Sequence, residues 1–130
     1  MECIIQAQNL DVGYGKNAVI SDVNIDAMKG QVICLLGPNG AGKSTILRTL
    51  SGLLAPVKGV VRVEGIEIKK MKTKEIAQKI SLVLTDSVAP SLTTVYELIS
   101  MGRTPYTNFL GRLSDEDKKI IDESLSLIHI

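Results

Sequence analysis

The chain is poor in cysteine and histidine: among 130 residues there are two of the first and one of the second. Two cysteines are too few for a disulfide scaffold, so a reducing cytosol is the expected setting. Cys3 and Cys34 both fall in apolar, strand-like stretches and are expected to act as small buried hydrophobes. There is no C-x-x-C pair, and the single histidine, His129, stands at the far end, so these side chains are not expected to build a metal centre. An excess of one charge is also missing. The formal net charge is +1, with acids and bases interspersed, which argues against a nucleic-acid partner held by charge alone. No apolar run approaches the ~20 residues that a membrane-crossing helix needs. No N-terminal segment has the basic, apolar and small-residue order of a signal peptide. Membrane contact, if any, is expected to be peripheral, through another protein. Repeats and low-complexity tracts are absent, and the length suits one domain.

What the chain does have is Gly37-Pro38-Asn39-Gly40-Ala41-Gly42-Lys43-Ser44-Thr45. This satisfies G-x-x-x-x-G-K-[ST], the phosphate-cradling loop of nucleotide triphosphatases. The apolar run Val32 to Leu36 before it reads as a buried strand, and Ile46 to Leu50 after it as a helix, which is the order the chemistry requires. Gly40 and Gly42 allow backbone angles that other residues resist, so successive N–H groups can turn inward as a nest for phosphate oxygens. The helix opening at Lys43 adds unpaired N–H groups and the positive end of its dipole. Lys43 is expected to set its ammonium against the β- and γ-phosphates, and the Ser44 hydroxyl to ligate Mg²⁺. Thr45 is expected to add a backbone N–H contact. A glycine turn that merely caps a helix would not need every fixed position filled.

The rest of the chain reads as follows. Cys3 to Gln8 is a strand, and Asn9 to Gly15 a short strand and turn with Tyr14 near its tip. Ala18 to Ala27 alternates, with Val19, Ser21, Val23 and Ile25 on one face. Lys29-Gly30 marks a turn, and Gly52 a helix stop. Val60 to Val63 and Ile66 to Ile68 form a hairpin through Glu64-Gly65. Thr73 caps a helix over Lys74 to Gln78, and Ile80 to Leu84 is a second apolar strand. Thr94 and Glu97 make a capping box for a helix running towards Met101-Gly102. Pro105 to Gly111 is irregular, and Ser114 caps a last helix with Ile120, Ile121, Leu125 and Ile128 on its apolar face. The fold class is α/β with a β-rich N-terminal layer.

Together these residues resemble the ATP-binding subunit of ABC transporters, over essentially the whole chain. Leu10-Asp11-Val12-Gly13-Tyr14-Gly15 is similar to the family's aromatic adenine loop, and residues 37–45 carry its usual phosphate-loop wording. Leu53 to Gly59 and Val61 to Gly65 resemble the stretches that follow. Leu92 to Leu98, Met101 to Tyr106 and Gly111 to Ser114 look most like subunits that drive import of iron–siderophores, haem or cobalamin. The resemblance implies a P-loop ABC-type ATPase core over residues 1–85 and part of a helical subdomain over 86–130. It implies ATP and Mg²⁺ as ligands, held by Tyr14, Asn39, Gly40, Ala41, Gly42, Lys43, Ser44 and Thr45. Tyr14 would stack on adenine, an interaction of about 1–3 kcal/mol where aromatic rings stack on bases. The implied partners are a membrane permease and a second ATP-binding subunit, with no nucleic acid, on the inner face of the cell membrane.

Two positions depart from the family's wording. Where the family has a glutamine that senses Mg²⁺, this chain has Thr85, whose short, β-branched side chain would reach the metal only through water. A rival reading takes Asp86 as the aspartate that holds Mg²⁺ through water, but the family's acidic strand ends in Asp-Glu and Asp86 precedes Ser87. The family's signature peptide, its Asp-Glu strand and its switch histidine have no counterpart here, and His129 does not lie in such a motif. The sequence is thus expected to be the N-terminal portion of a longer protein. Such a portion would bind Mg-ATP weakly, turn it over negligibly and associate with itself through an unpaired strand at Val32 to Leu36. Tyr106, Phe109 and Leu110 are candidates for a permease contact within the region Asp86 to Leu113. A non-transport ABC ATPase, a non-catalytic nucleotide-binding module and a small-molecule kinase are the alternatives. Near-neutral charge counts against the first, and Tyr14 ahead of the loop against the last.

Overall fold

In the computed structural model, the described residues are 2–85 and 92–128. They fall into two compact units that divide between Ser81 and Leu82. In the first, a four-stranded antiparallel sheet has the order β2-β1-β3-β4. Its strands are β1 (Cys3–Tyr14), β2 (Asn17–Met28), β3 (Lys58–Val63) and β4 (Ile66–Glu67). The helices α1 (Lys43–Leu50) and α2 (Thr73–Lys79) belong to the same unit.

One face of the sheet is apolar. Ala7, Leu10 and Val12 of β1 and Val61 and Val63 of β3 are buried with Ile46 of α1 and Ile68. Ile20, Val23 and Ile25 of β2 pack against this cluster, as do Leu35, Ile76 and Ile80. The other face carries polar side chains such as Gln6, Gln8 and Arg62, where the Arg62 guanidinium donates to Gln6 Oε1 at 3.4 Å and to Gln8 Oε1.

The register of β1 on β2 shifts at four places, and the two in the middle are opposed bulges. Ala7 faces Ile25 and Leu10 faces Val23, so Gln8 and Asn9 together oppose Asn24. Further on, Leu10 faces Val23 and Val12 faces Ile20, so Ser21 and Asp22 together oppose Asp11. Asn9 and Asp22 take left-handed backbone angles, φ 46° and 56°, which asparagine and aspartate tolerate better than most residues. These bulges correct the alternation expected for β2. Ile20 turns inward with Val23 and Ile25, and Val19 is half-exposed, because the extra residue shifts the pleat by one position.

The hairpin over Glu64-Gly65 forms as expected, with φ 48° and 79° at the two turn residues, both left-handed as a tight hairpin turn requires. Helix α1 stops at Gly52, φ 79°, where the Leu53 N–H reaches Arg48 O at 2.9 Å and the Gly52 N–H reaches Thr49 O at 3.1 Å. Helix α2 begins one residue earlier than expected. Lys72, not Thr73, is its cap position, and the Glu75 carboxylate accepts the Lys72 N–H at 2.7 Å.

The two apolar runs expected as central strands, Val32 to Leu36 and Ile80 to Leu84, form no strand among the described residues. Val32, Leu36 and Val83 are more than nine-tenths exposed. A strand that is apolar on both faces needs paired neighbours on both edges and cover on both faces. The described residues supply only the antiparallel sheet, so these runs are anchored to the core through Leu35 and Ile80 alone. For the same reason Cys34 is exposed and Cys3 half-buried, rather than both buried.

The second unit holds α3 (Val95–Met101) and α4 (Asp115–Ser126). Helix α3 opens on the expected capping box, and α4 opens on the expected Ser114 cap, which Asp117 completes as a capping box. Thr94 Oγ1 accepts the Glu97 N–H at 3.2 Å, while Glu97 Oε2 accepts the Thr94 N–H at 2.8 Å. Ser114 and Asp117 repeat the exchange at 3.1 and 2.9 Å. Ile121 is fully buried, but Ile128 lies beyond the end of α4 and is exposed. A single 3-10 turn spans Thr104–Tyr106 within the stretch expected to be irregular.

Candidate functional site

The phosphate loop and the first hairpin enclose one open cavity of about 350 Å³. Tyr14, Val19, Asn39, Gly40, Gly42, Lys43, Ser44 and Thr45 line it. Tyr14 is the last residue of β1, pairs with Asn17 across the hairpin and is half-exposed. Sequence separation hides this juxtaposition, because the hairpin and the loop are joined only by folding.

The local geometry of the loop follows from its glycines. Gly40 and Gly42 take φ 82° and 94°, the left-handed region where a side chain is strained. Gly42 is the cap position of α1 and no side chain caps that end. The first-turn N–H groups of α1 therefore have no intrahelical acceptor and face the loop. A Cβ on Gly42 would stand 2.6 Å from Ile20 Cδ1 and 3.2 Å from Val19 Cγ1, so the loop rests directly on β2. The Ala41 N–H is directed into the loop itself, donating to Pro38 O at 3.2 Å.

Lys43 Nζ donates to Gly37 O and Pro38 O, each at 2.7 Å. The ammonium thus bridges the start of the loop, beside the space that a phosphate would fill. Ser44 is exposed at the second helical position, whereas Thr45 is buried. The Thr45 carbonyl accepts from Thr49 Oγ1 at 2.9 Å, which holds the first turn of α1 from behind.

The donor set suits a polyphosphate. It offers main-chain N–H groups, the Lys43 ammonium and the exposed Ser44 hydroxyl, and no acidic side chain is among the lining residues. Groups of three or more His, Cys, Asp or Glu side chains able to hold a metal are absent among the described residues. Thr85 is exposed and belongs to the second unit, outside the residues that line the cavity. Asp86, Ser87 and His129 lie outside the described residues. Val19 and Ile20 are the site residues that sequence reasoning missed. The signal available was the Asp at position 22, a residue type that accepts a left-handed bulge and so inverts the alternation around it.

In the second unit Arg103 Nε donates to Asp117 Oδ1 at 2.8 Å, and the Arg103 guanidinium stacks over the Tyr106 ring at 4.1 Å. Asp117 is 4% exposed. The Ser114 N–H and hydroxyl, then the Arg103 guanidinium, hold its pKa down to about 2. Asn108 Oδ1 accepts the N–H groups of Leu110 and Arg112 at 3.1 and 3.2 Å, which folds the turn on which Phe109 is fully exposed and Leu110 largely so.

A glycine loop that opens a helix with lysine at its first position, beside an aromatic hairpin, defines the phosphate-loop class of nucleotide-binding folds. Within that class the chain belongs to the ABC transporter family, whose pattern matches residues 20–129. It is 43% identical over 121 residues to the iron(3+)-hydroxamate import ATP-binding protein FhuC of Bacillus subtilis, covering 93% of this chain and 45% of that one. It is 35% identical over 121 residues to the ferric enterobactin transport ATP-binding protein FepC of Escherichia coli, again covering 93% and 45%. Among solved structures, an ABC transporter ATP-binding protein of Pyrococcus furiosus matches 75% of this chain and 46% of its own, with a TM-score of 0.62 and 31% identity. A dimeric ATP-binding cassette bound to ADP and Pi shares the fold over 98% of this chain and 58% of its own, with a TM-score of 0.76 at 22% identity. The chain spans about half the length of the curated relatives it matches. Its fold is accordingly that of part of an ABC ATPase domain. No helix among the described residues is long and apolar enough to cross a membrane.

Proposed function

We propose that this chain binds Mg-ATP in the cavity between the first hairpin and the phosphate loop, as part of the ATP-binding subunit of an importer. The observation that supports this most is that Tyr14 lines the same cavity as Asn39, Gly40, Gly42, Lys43, Ser44 and Thr45. A flat ring at one end and a nest of donors at the other match a purine and its polyphosphate tail. Lys43 would exchange its two carbonyl acceptors for phosphate oxygens. Ser44 would be the Mg²⁺ ligand, and Thr85 is not among the residues that line the cavity. When bound, Mg²⁺ supplies charge neutralisation to the phosphates.

In the whole protein, residues 1–85 would serve as the ATP-binding core and 86–130 as part of the helical subdomain that meets a permease. Closure of two ATP-binding subunits would then drive import of a substrate of the iron–siderophore, haem or cobalamin type. The names of the relatives support the iron–siderophore member of that group. The subunit would lie on the inner face of the membrane, in contact with it only through the permease. No carboxylate or imidazole is among the residues that line the cavity, and the chain by itself is expected to bind Mg-ATP without sustained turnover.

Titration calorimetry with Mg-ATP tests the reading. A measurable heat in the unaltered chain, weakened by tenfold or more in Lys43→Ala, is the expected result, since a charge-assisted contact contributes about 1.5–3 kcal/mol. Absence of heat in the unaltered chain, or equal heats in both, would remove the proposal.

A further inference from the structure

We propose that Asp11 is a positioning residue for the nucleotide cavity, acting through the β2 bulge that its carboxylate closes. This rests on the nucleotide reading above. Asp11 does not line the cavity. It stands alone opposite Ser21 and Asp22, in the place where β2 carries one residue more than β1. A bulge leaves the extra residue outside the ladder. Here Asp11 Oδ1 accepts the Asp22 N–H at 2.9 Å. Asn24 Nδ2 donates to Asp22 O at 3.2 Å and to Asp22 Oδ1 at 3.1 Å, which fixes the same residue from the other side.

The bulge decides what meets the phosphate loop. Strict alternation back from the inward Val23 would turn Ser21 and Val19 to the core and Ile20 away from it. The extra residue reverses this. Ile20 goes inward and fills the space that a Cβ on Gly42 would need, and Val19, itself unpaired between Ile20 and Ala18 in a further irregularity, lines the cavity beside Tyr14. A slip of one residue in β2 would remove both contacts together. The backbone of Asp11 is held independently, since its carbonyl accepts the Val57 N–H at 2.8 Å and it pairs with Lys58 of β3. Its side chain is therefore free of any duty to β3 and serves the bulge.

The test compares Asp11→Ala, Asp11→Asn and the double variant Asp11→Ala/Asp22→Gly in the full chain. Two quantities are read: the backbone amide resonances of Gly42 and Lys43 without nucleotide, and the dissociation constant of Mg²⁺ with a fluorescent N-methylanthraniloyl ATP. Asp11→Ala is expected to move both resonances and to weaken nucleotide binding about fivefold, the weight of one lost hydrogen bond. Asp11→Asn keeps an oxygen acceptor and is expected to stay near the unaltered chain. Glycine at position 22 adopts the bulge angle unaided, so the double variant is expected to regain both readouts even where Asp11→Ala alone folds poorly. The inference is overturned if Asp11→Ala lowers the melting temperature while leaving the two resonances and the dissociation constant unchanged, or if Asp11→Asn fares as badly as Asp11→Ala. If the unaltered chain binds no nucleotide, the nucleotide reading falls, and the two amide resonances still decide whether the bulge sets the loop.

Discussion

Replacing Gly42 by alanine tests the link between β2 and the phosphate loop most directly. Two separate penalties arise. At φ 94° an alanine sits in the left-handed region, at about 1–2 kcal/mol. The added methyl would also lie 2.6 Å from Ile20 Cδ1 and 2.9 Å from Ile20 Cγ1, an overlap that something must relieve. Overpacking of this kind costs about 1–3 kcal/mol, and Ile20 is only half-buried, so its outer methyl can turn and the lower end applies. The sum is about 2–3 kcal/mol. For a compact unit of this size each kcal/mol moves the midpoint by about 4–8 °C, so thermal unfolding followed by circular dichroism should show a drop of about 8–24 °C. The contact part can be isolated. In an Ile20→Ala background the methyl has room, and Gly42→Ala should cost only the backbone share, about 1–2 kcal/mol. An equal cost in both backgrounds would refute the contact, and no cost in either would refute the left-handed geometry of the loop.

Other outcomes follow from the same geometry. The pKa of Asp117 is held at about 2, below its unfolded value of about 3.8, so its contribution to folding is full above the unfolded value and lost as pH falls from about 4 to about 2. Acid titration followed by tyrosine fluorescence should show this loss, and Asp117→Asn should flatten it. Leu10 is fully buried at the centre of β1, so Leu10→Ala should destabilise by about 2–5 kcal/mol in urea unfolding. Phe109 is fully exposed, so Phe109→Ser should leave stability within about 0.5 kcal/mol, and a larger loss would mean that the ring is covered.

Much of the fold was legible because its signals are local. The Glu64-Gly65 turn, the Gly52 stop and the Thr94 and Ser114 capping boxes each depend on a few adjacent residues, and each forms where the residue types place it. Two kinds of signal were not legible. Apolar runs such as Val32 to Leu36 and Ile80 to Leu84 carry strand propensity, but a strand exists only where a neighbour offers its backbone, and the described residues offer none. The alternation of β2 was misread because one left-handed residue, Asp22, shifts the pleat, and the partner that fixes it, Asp11, lies eleven positions away on another strand.

The sequence by itself determined the phosphate loop, since its glycines, lysine and serine act through main-chain angles and a helix end that nine consecutive residues specify. Tertiary structure alone decided that Tyr14 and Val19 share a cavity with that loop and that Ile20 seats it. Those meetings arise from strand register, which long-range pairing and the bulges between β1 and β2 set, and no local pattern encodes it.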